Sequence, residues 1–165
     1  MKKYNIKKII GCSIGIICMA VLASFFLFKN LNTQGTKTNE EEPQYLLSIR
    51  NKYVGDSSAD MKILDELKIA ENLKIEIKSN DVGVNSLIIN LNGEKTGNLS
   101  YEEYGAILLA LIDNLDEICW NINGSQNIKI TVDSVGEKYG DVKECGKTSE
   151  KLHSLLTNIG YYEKR

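Results

Sequence analysis

The stretch SYEEYGAILLALIDNLDEICWNI, residues 100–122, decides the fold. Ser100 and Glu103 open it as a capping box: the serine side chain accepts from the third helical N–H while the glutamate reaches back to the serine N–H. Behind the box, Tyr101, Tyr104, Leu108, Leu111 and Leu115 recur at helical spacing, and Ile107 and Ile112 widen the stripe. Gly105–Ile112 is apolar nearly all round yet too short to span a bilayer, which predicts a central buried helix. Then the period changes. In Glu117–Ile122 the residues Ile118, Trp120 and Ile122 alternate with polar ones, the pattern of a strand with one face buried.

Working outward, a second strand pattern lies upstream. Leu73, Ile75 and Ile77 alternate with Lys74, Glu76 and Lys78, turn residues follow at Asn80–Gly83, and Ser86–Asn92 reads as the returning strand. Downstream, Asn123-Gly124 signals a turn, and Ile128, Ile130 and Val132 alternate with Lys129 and Thr131. Asp133–Tyr139 fits a short helix. Leu152, Leu155, Leu156 and Ile159 stand at i, i+3, i+4 and i+7, with Gly160 as the stop of a last helix. Before the first strand, Pro43 suits a first helical turn, and Leu46, Leu47, Ile49 and Tyr53 continue at helical spacing until Gly55. Asp56, Ser57 and Ser58 are caps for a second helix, in which Met61, Leu64 and Leu67 recur. The expected class is α+β, in the order ααββαββα. The expected sheet is mostly antiparallel and four-stranded, two hairpins packed with helices.

Ahead of this domain, Ile9–Phe28 is an unbroken run of apolar and small residues, preceded by Lys2, Lys3, Lys7 and Lys8. About 20 residues at about 1.5 Å each cross the roughly 30 Å hydrocarbon core. The lysines place the amino terminus in the cytoplasm and the rest outside. The division is a basic tail at 1–8, a transmembrane helix at 9–28, a polar linker at 29–43 and an extracytoplasmic domain at 44–165. A retained anchor leaves no greasy start to the mature chain. Two alternatives stay open: cleavage after Ala23, and lipidation at Cys12, whose Ile9-Ile10-Gly11-Cys12 has lipobox order.

The 165 residues carry a net charge of −2 with both signs interspersed, so nothing points to nucleic acid. The single histidine and the absence of a Cys-x-x-Cys pair leave no metal-ligand spacing, and no cofactor is called for. Cys119 and Cys145 lie in the exported part, where a disulfide between them is permitted. Cys145 and His153 are the residue types of a nucleophile and its base, but no oxyanion or orienting motif accompanies them, and no catalytic residue is assigned. Trp120 could stack on a sugar; its alternation with Ile118 and Ile122 places it in the core. Lys74, Glu76 and Lys78 form a solvated sheet face that could receive a partner. Tyr53, Gly55 and Asp56 are candidates for a ligand or partner turn, against the plainer reading of a helix end, an N-cap and a core tyrosine.

Tyr53-Val54-Gly55-Asp56-Ser57, then Leu64 and Leu67, Ile75-Glu76-Ile77, and Leu109–Asn114 leading into Asp116-Glu117-Ile118 resemble a domain-of-unknown-function family of low-GC Gram-positive bacteria. The resemblance runs from about Leu46 to Ile159. It implies an extracytoplasmic domain behind one membrane anchor, a type also appended to membrane metallopeptidase sensors similar to beta-lactam receptor proteins. It implies no reaction and no catalytic residues, and the metallopeptidase motif His-Glu-x-x-His is absent from this sequence. The expected function is non-catalytic binding or sensing at the cell envelope, with the membrane contacted through residues 9–28. A membrane protein or a small extracellular ligand, such as a peptide or antibiotic, is the expected partner. An envelope hydrolase is a third reading, disfavoured by the residues present.

Overall fold

A computed structural model describes residues 38–69, 73–79, 83–93, 95 and 97–164. The anchor expected at 9–28, with its basic tail and most of its linker, lies outside the described residues. Among the described residues no helix is long and apolar enough to cross a membrane. Thr38–Arg165 forms one compact unit.

The chain runs α1 (Glu41–Ser48), α2 (Ser57–Glu66), β1 (Leu73–Ser79), β2 (Asn85–Leu91), α3 (Tyr101–Leu111), β3 (Glu117–Ile122), β4 (Gln126–Thr131), α4 (Val132–Tyr139), α5 (Val142–Cys145), α6 (Ser149–Ile159) and α7 (Tyr161–Lys164). The class is α+β, with one sheet in the order β1-β2-β3-β4. Both hairpin pairs are antiparallel. Between them β2 and β3 run parallel, from Ser86 opposite Glu117 to Leu91 opposite Ile122. The sheet is therefore mixed, which corrects the mostly antiparallel expectation. Parallel neighbours need a crossover, and α3 supplies it. The carboxyl end also departs from the expected order, since four helical segments follow β4 where the order ααββαββα has one.

Local chemistry sets the helix ends. The Ser100–Glu103 box forms in both directions, with the Ser100 N–H on Glu103 Oε2 at 2.7 Å and the Glu103 N–H on Ser100 Oγ at 3.2 Å. Thr38 and Glu41 pair in the same reciprocal way ahead of α1. Glu41 and Glu42, counted into the polar linker, thus begin a helix, with Pro43 in its first turn as its chemistry suits. Glu42 is 2% exposed and accepts from the Tyr161 hydroxyl at 3.1 Å.

The α3 helix is the centre of the core, buried from Tyr104 to Leu111. One side meets β3 and β4, and the other meets α4, α5 and α6. The inward sheet face carries Leu87, Ile89, Leu91, Ile118, Trp120, Ile122 and Ile130. Trp120 is fully buried, with the Tyr101 ring 5.3 Å away, so it offers no stacking platform to solvent. The opposite face is polar: Asn121 Nδ2 donates to Asn90 Oδ1 at 2.9 Å, and Lys129 pairs with Glu117 at 2.5 Å. Cys119 belongs to that outer face, opposite Ile88, whereas Cys145 packs against the helical core at the end of α5. The sheet stands between them, and both are free thiols, so the Cys119–Cys145 disulfide that the compartment permits is not formed.

Two glycines allow α3 its close neighbours. A Cβ at Gly105 would lie 2.7 Å from Ile130 Cγ2, and one at Gly146 would lie 1.7 Å from the Ala110 carbonyl oxygen. The second obstacle is backbone, which gives less readily than a side chain. Gly146→Ala is expected to cost about 1–3 kcal/mol, the range for overpacking a core, seen as a lowered urea midpoint at unchanged slope.

Candidate functional site

The site is built where the chain, leaving α1, lies against the exit of α3. The Asn51 N–H donates to the Leu111 carbonyl and the Asp113 N–H to the Asn51 carbonyl, both at 2.9 Å, a short parallel bridge between Asn51 and Ile112. This bridge follows the end of α1 at Ser48, and beyond it Lys52 and Tyr53 face outward while Val54 is buried. Tyr53 is 59% exposed, which corrects its expected place in helical register and in the core.

The turn that carries Tyr53 is held from within. Asn51 is buried, and its Nδ2 donates to the Tyr53 carbonyl at 2.7 Å and to Asp60 Oδ1 at 2.8 Å. Its Oδ1 accepts from the Tyr53 N–H at 3.2 Å. The Val54 N–H donates to Asn114 Oδ1 at 2.6 Å, and the Gly55 N–H to Asp60 Oδ2 at 3.2 Å. The Asp56 N–H returns to the Tyr53 carbonyl at 3.3 Å. Successive N–H groups from Tyr53 to Asp56 all have acceptors, so the segment is ordered by specific partners although it is a surface turn. Gly55 has φ +116°, backbone open to glycine and strained for other residues. Asp56 caps α2, accepting from the Ala59 N–H at 3.2 Å.

Asp60 is the unusual member. It is 0% exposed in the first turn of α2, and burial, ahead of any hydrogen bond, pushes its carboxyl above the ordinary aspartate value. The same region holds a second perturbed group. Lys143 Nζ donates to the Ile112 carbonyl at 2.9 Å and the Asp113 carbonyl at 3.3 Å, and burial pushes the amine down to about 8 despite Asp116 and Asp113 nearby. Arg50 bonds the Gly146 carbonyl at 3.2 Å and pairs loosely with Asp113 at 3.9 Å.

The sequence candidates divide cleanly. Tyr53, Gly55 and Asp56 share the turn, but Gly55 and Asp56 serve its backbone and the α2 cap, leaving Tyr53 as the group presented to solvent. Asn51, Asp60 and Asn114 were not singled out by sequence, and they hold the turn. A signal for Asp60 existed: Asp60, Ile63, Leu64 and Leu67 stand at i, i+3, i+4 and i+7, which puts a carboxylate in the buried stripe of α2. Met61, counted into that stripe by spacing, is only half-buried. Of the Cys145 and His153 pair, burial raises the Cys145 thiol, and His153 Nδ1 is 3.0 Å from the Tyr162 hydroxyl. An open depression lies along α2, lined by Ser58, Met61, Lys62, Asp65 and Glu66 of that helix alone. Among the described residues no His, Cys, Asp and Glu cluster could hold a metal.

Two outcomes follow from this geometry. Asn51→Ala deprives the buried Asp60 carboxylate of a donor and is expected to cost about 1.5–3 kcal/mol, the range for hydrogen bonds to charged groups, measured by urea denaturation. Lys143 binds its proton less tightly folded than unfolded. Between about pH 8 and the ordinary lysine value of about 10.4, the unfolded chain therefore holds more protons, and stability rises with pH across that window. Lys143→Met is expected to flatten this rise when denaturation midpoints at pH 7.5 and 10 are compared with wild type.

No curated protein and no solved structure matches the chain. A family model described as a domain of unknown function, DUF4825, matches residues 46–133, a span that includes Asn51, the Tyr53 turn, Asp60 and Asn114. The chain belongs to the DUF4825 family.

Proposed function

We propose that this protein is a single-pass membrane protein, its amino terminus cytoplasmic and its domain extracellular. On this reading the domain is a non-catalytic binding or sensing accessory of the cell envelope, and the Asn51–Asp56 turn is its recognition element. The observation that carries the reading is Tyr53: a large aromatic side chain, 59% exposed, on a turn whose backbone is fixed by Asn51, Asp60 and Asn114. Exposed tyrosines on preorganised backbone suit a binding anchor, because little conformational freedom remains to be lost on association. The apolar run at 9–28 and its flanking lysines support the location. The resemblance to envelope domains of low-GC Gram-positive bacteria, some joined to membrane metallopeptidase sensors, favours a partner in the same membrane. Capture of a small peptide or antibiotic has weaker support, since the depression on α2 has walls from one helix only. A hydrolase reading is disfavoured by the raised Cys145 thiol and the engagement of His153 with Tyr162.

A photo-reactive phenylalanine analogue placed at position 53 of the full chain in cells tests this, with position 127 on the outer sheet face as control. The expected result is a reproducible adduct with one membrane protein from position 53 and none from 127. Adducts from 127 alone, or none from 53, would overturn the assignment of the turn. Tyr53→Ala is expected to abolish capture by a lysine-reactive cross-linker while changing stability by no more than about 0.5 kcal/mol, as for surface substitutions generally.

A further inference from the structure

We propose that Asp60 is an acid-operated catch on the Tyr53 turn, its protonation freeing the Gly55 N–H and loosening the turn while the domain stays folded. The inference rests on the reading of that turn as the recognition element, and adds its regulation.

The geometry is specific. Both oxygens of a fully buried carboxylate are committed to donors: Oδ1 to Asn51 Nδ2 at 2.8 Å and Oδ2 to the Gly55 N–H at 3.2 Å. A carboxylic acid has one carbonyl acceptor and one hydroxyl that donates and accepts only weakly, so a proton taken from solvent by either oxygen weakens that oxygen's hold on its donor. Oδ2 holds the longer bond and is the oxygen that yields. The Asn51 contact remains, the Gly55 N–H loses its acceptor, and the flexible glycine at φ +116° is the residue able to move.

The charged surroundings agree. Asn51, Gly55 and Asn114, which face the carboxylate or its turn, are neutral, the charge that acts on the carboxylate is the like-signed Asp56, and Lys52 of the same turn lies over the Tyr53 ring. Among the described residues no lysine or arginine forms an ion pair with Asp60. Burial raises the folded carboxyl above its unfolded value, so the folded state takes up the proton first on acidification. Protonation of Asp60 then favours the folded chain over the unfolded one, and the turn is released without unfolding. The distinction from the cap is clear, because the Asp56 side chain is exposed and accepts from the Ala59 N–H, not from the turn.

The test follows amide resonances of the full, isotope-labelled chain in detergent micelles from pH 7 to pH 4, with Trp120 fluorescence reporting the core. The Gly55 and Tyr53 amides are expected to shift together, with one midpoint above the ordinary aspartate value of about 3.9, while Trp120 emission stays constant. Asp60→Asn is expected to abolish the shift and Asp56→Asn to leave it. A shift that survives Asp60→Asn, one lost in Asp56→Asn, a flat Gly55 amide, or loss of Trp120 burial at the same midpoint would each overturn the catch. Should Asp60→Asn fail to fold, the wild-type Asp60 carboxyl carbon decides: a midpoint shared with the Gly55 amide supports the proposal, and a different one overturns it. The two readings fail separately. A titrating Gly55 amide with no adduct from position 53 at either pH removes the recognition role and keeps the catch. An adduct formed equally at pH 7 and pH 5 with a flat Gly55 amide does the reverse.

Discussion

The constraint on which the rest depends is the exit of α3. A helix ends with carbonyls that have no partner inside it, and here the exit is buried, where an unpaired carbonyl is costly. The chain answers with donors from distant segments. Asn51 supplies its N–H to Leu111, and Lys143 supplies its amine to Ile112 and Asp113. A lysine suits the negative end of a helix dipole, even where burial makes its charge harder to keep. The loop that follows then makes its own long-range bonds. Asn114 fixes Val54, and Asp116 exchanges bonds with Asn85, its Oδ2 accepting at 2.8 Å and its N–H donating at 2.9 Å. The short segment 111–116 thereby ties the α1–α2 turn, the start of β2 and α5 to one place.

That arrangement accounts for the position of the functional candidate. The α3 helix is committed on both sides, to β3 and β4 and to the outer helices, so it is the fixed body of the domain. A turn bonded to the exit of that helix inherits its rigidity. The polar cost is met locally: Asn51 uses both donors and its acceptor, and Asp60 uses both oxygens. What the turn presents to solvent is the ring of Tyr53, with Lys52 Nζ 5.5 Å from its centroid. The recognition role proposed for the turn rests on this combination of a fixed backbone and an exposed aromatic ring.

Much of the architecture was legible in the sequence because it rests on local periodicity. The Ser100–Glu103 box, the buried α3 and the alternating β3 are read from neighbouring residues and stand as expected. The parallel β2–β3 pairing is a long-range choice that alternation cannot reveal, since parallel and antiparallel partners bury the same residues. Tyr53 was misplaced for a related reason. Its spacing from Leu46 and Ile49 fits a helix, but the Asn51–Ile112 bridge, made across a large sequence separation, overrides local propensity. Asn51 and Asn114 carry no periodic mark at all and read as ordinary turn residues. Alternation itself argues against the permitted disulfide: Cys119 sits between Ile118 and Trp120, so it points away from the core that Cys145 adjoins.

Native-state hydrogen exchange of the full chain tests the central claim, that the Tyr53 turn is locked to the exit of α3, most directly. The amides of Asn51, Val54 and Asp113 are predicted to exchange as slowly as that of Leu108 inside α3, opening only when the domain opens as a whole. Exchange of these three amides at the rate of unprotected loop amides, with Leu108 still protected, would contradict the account.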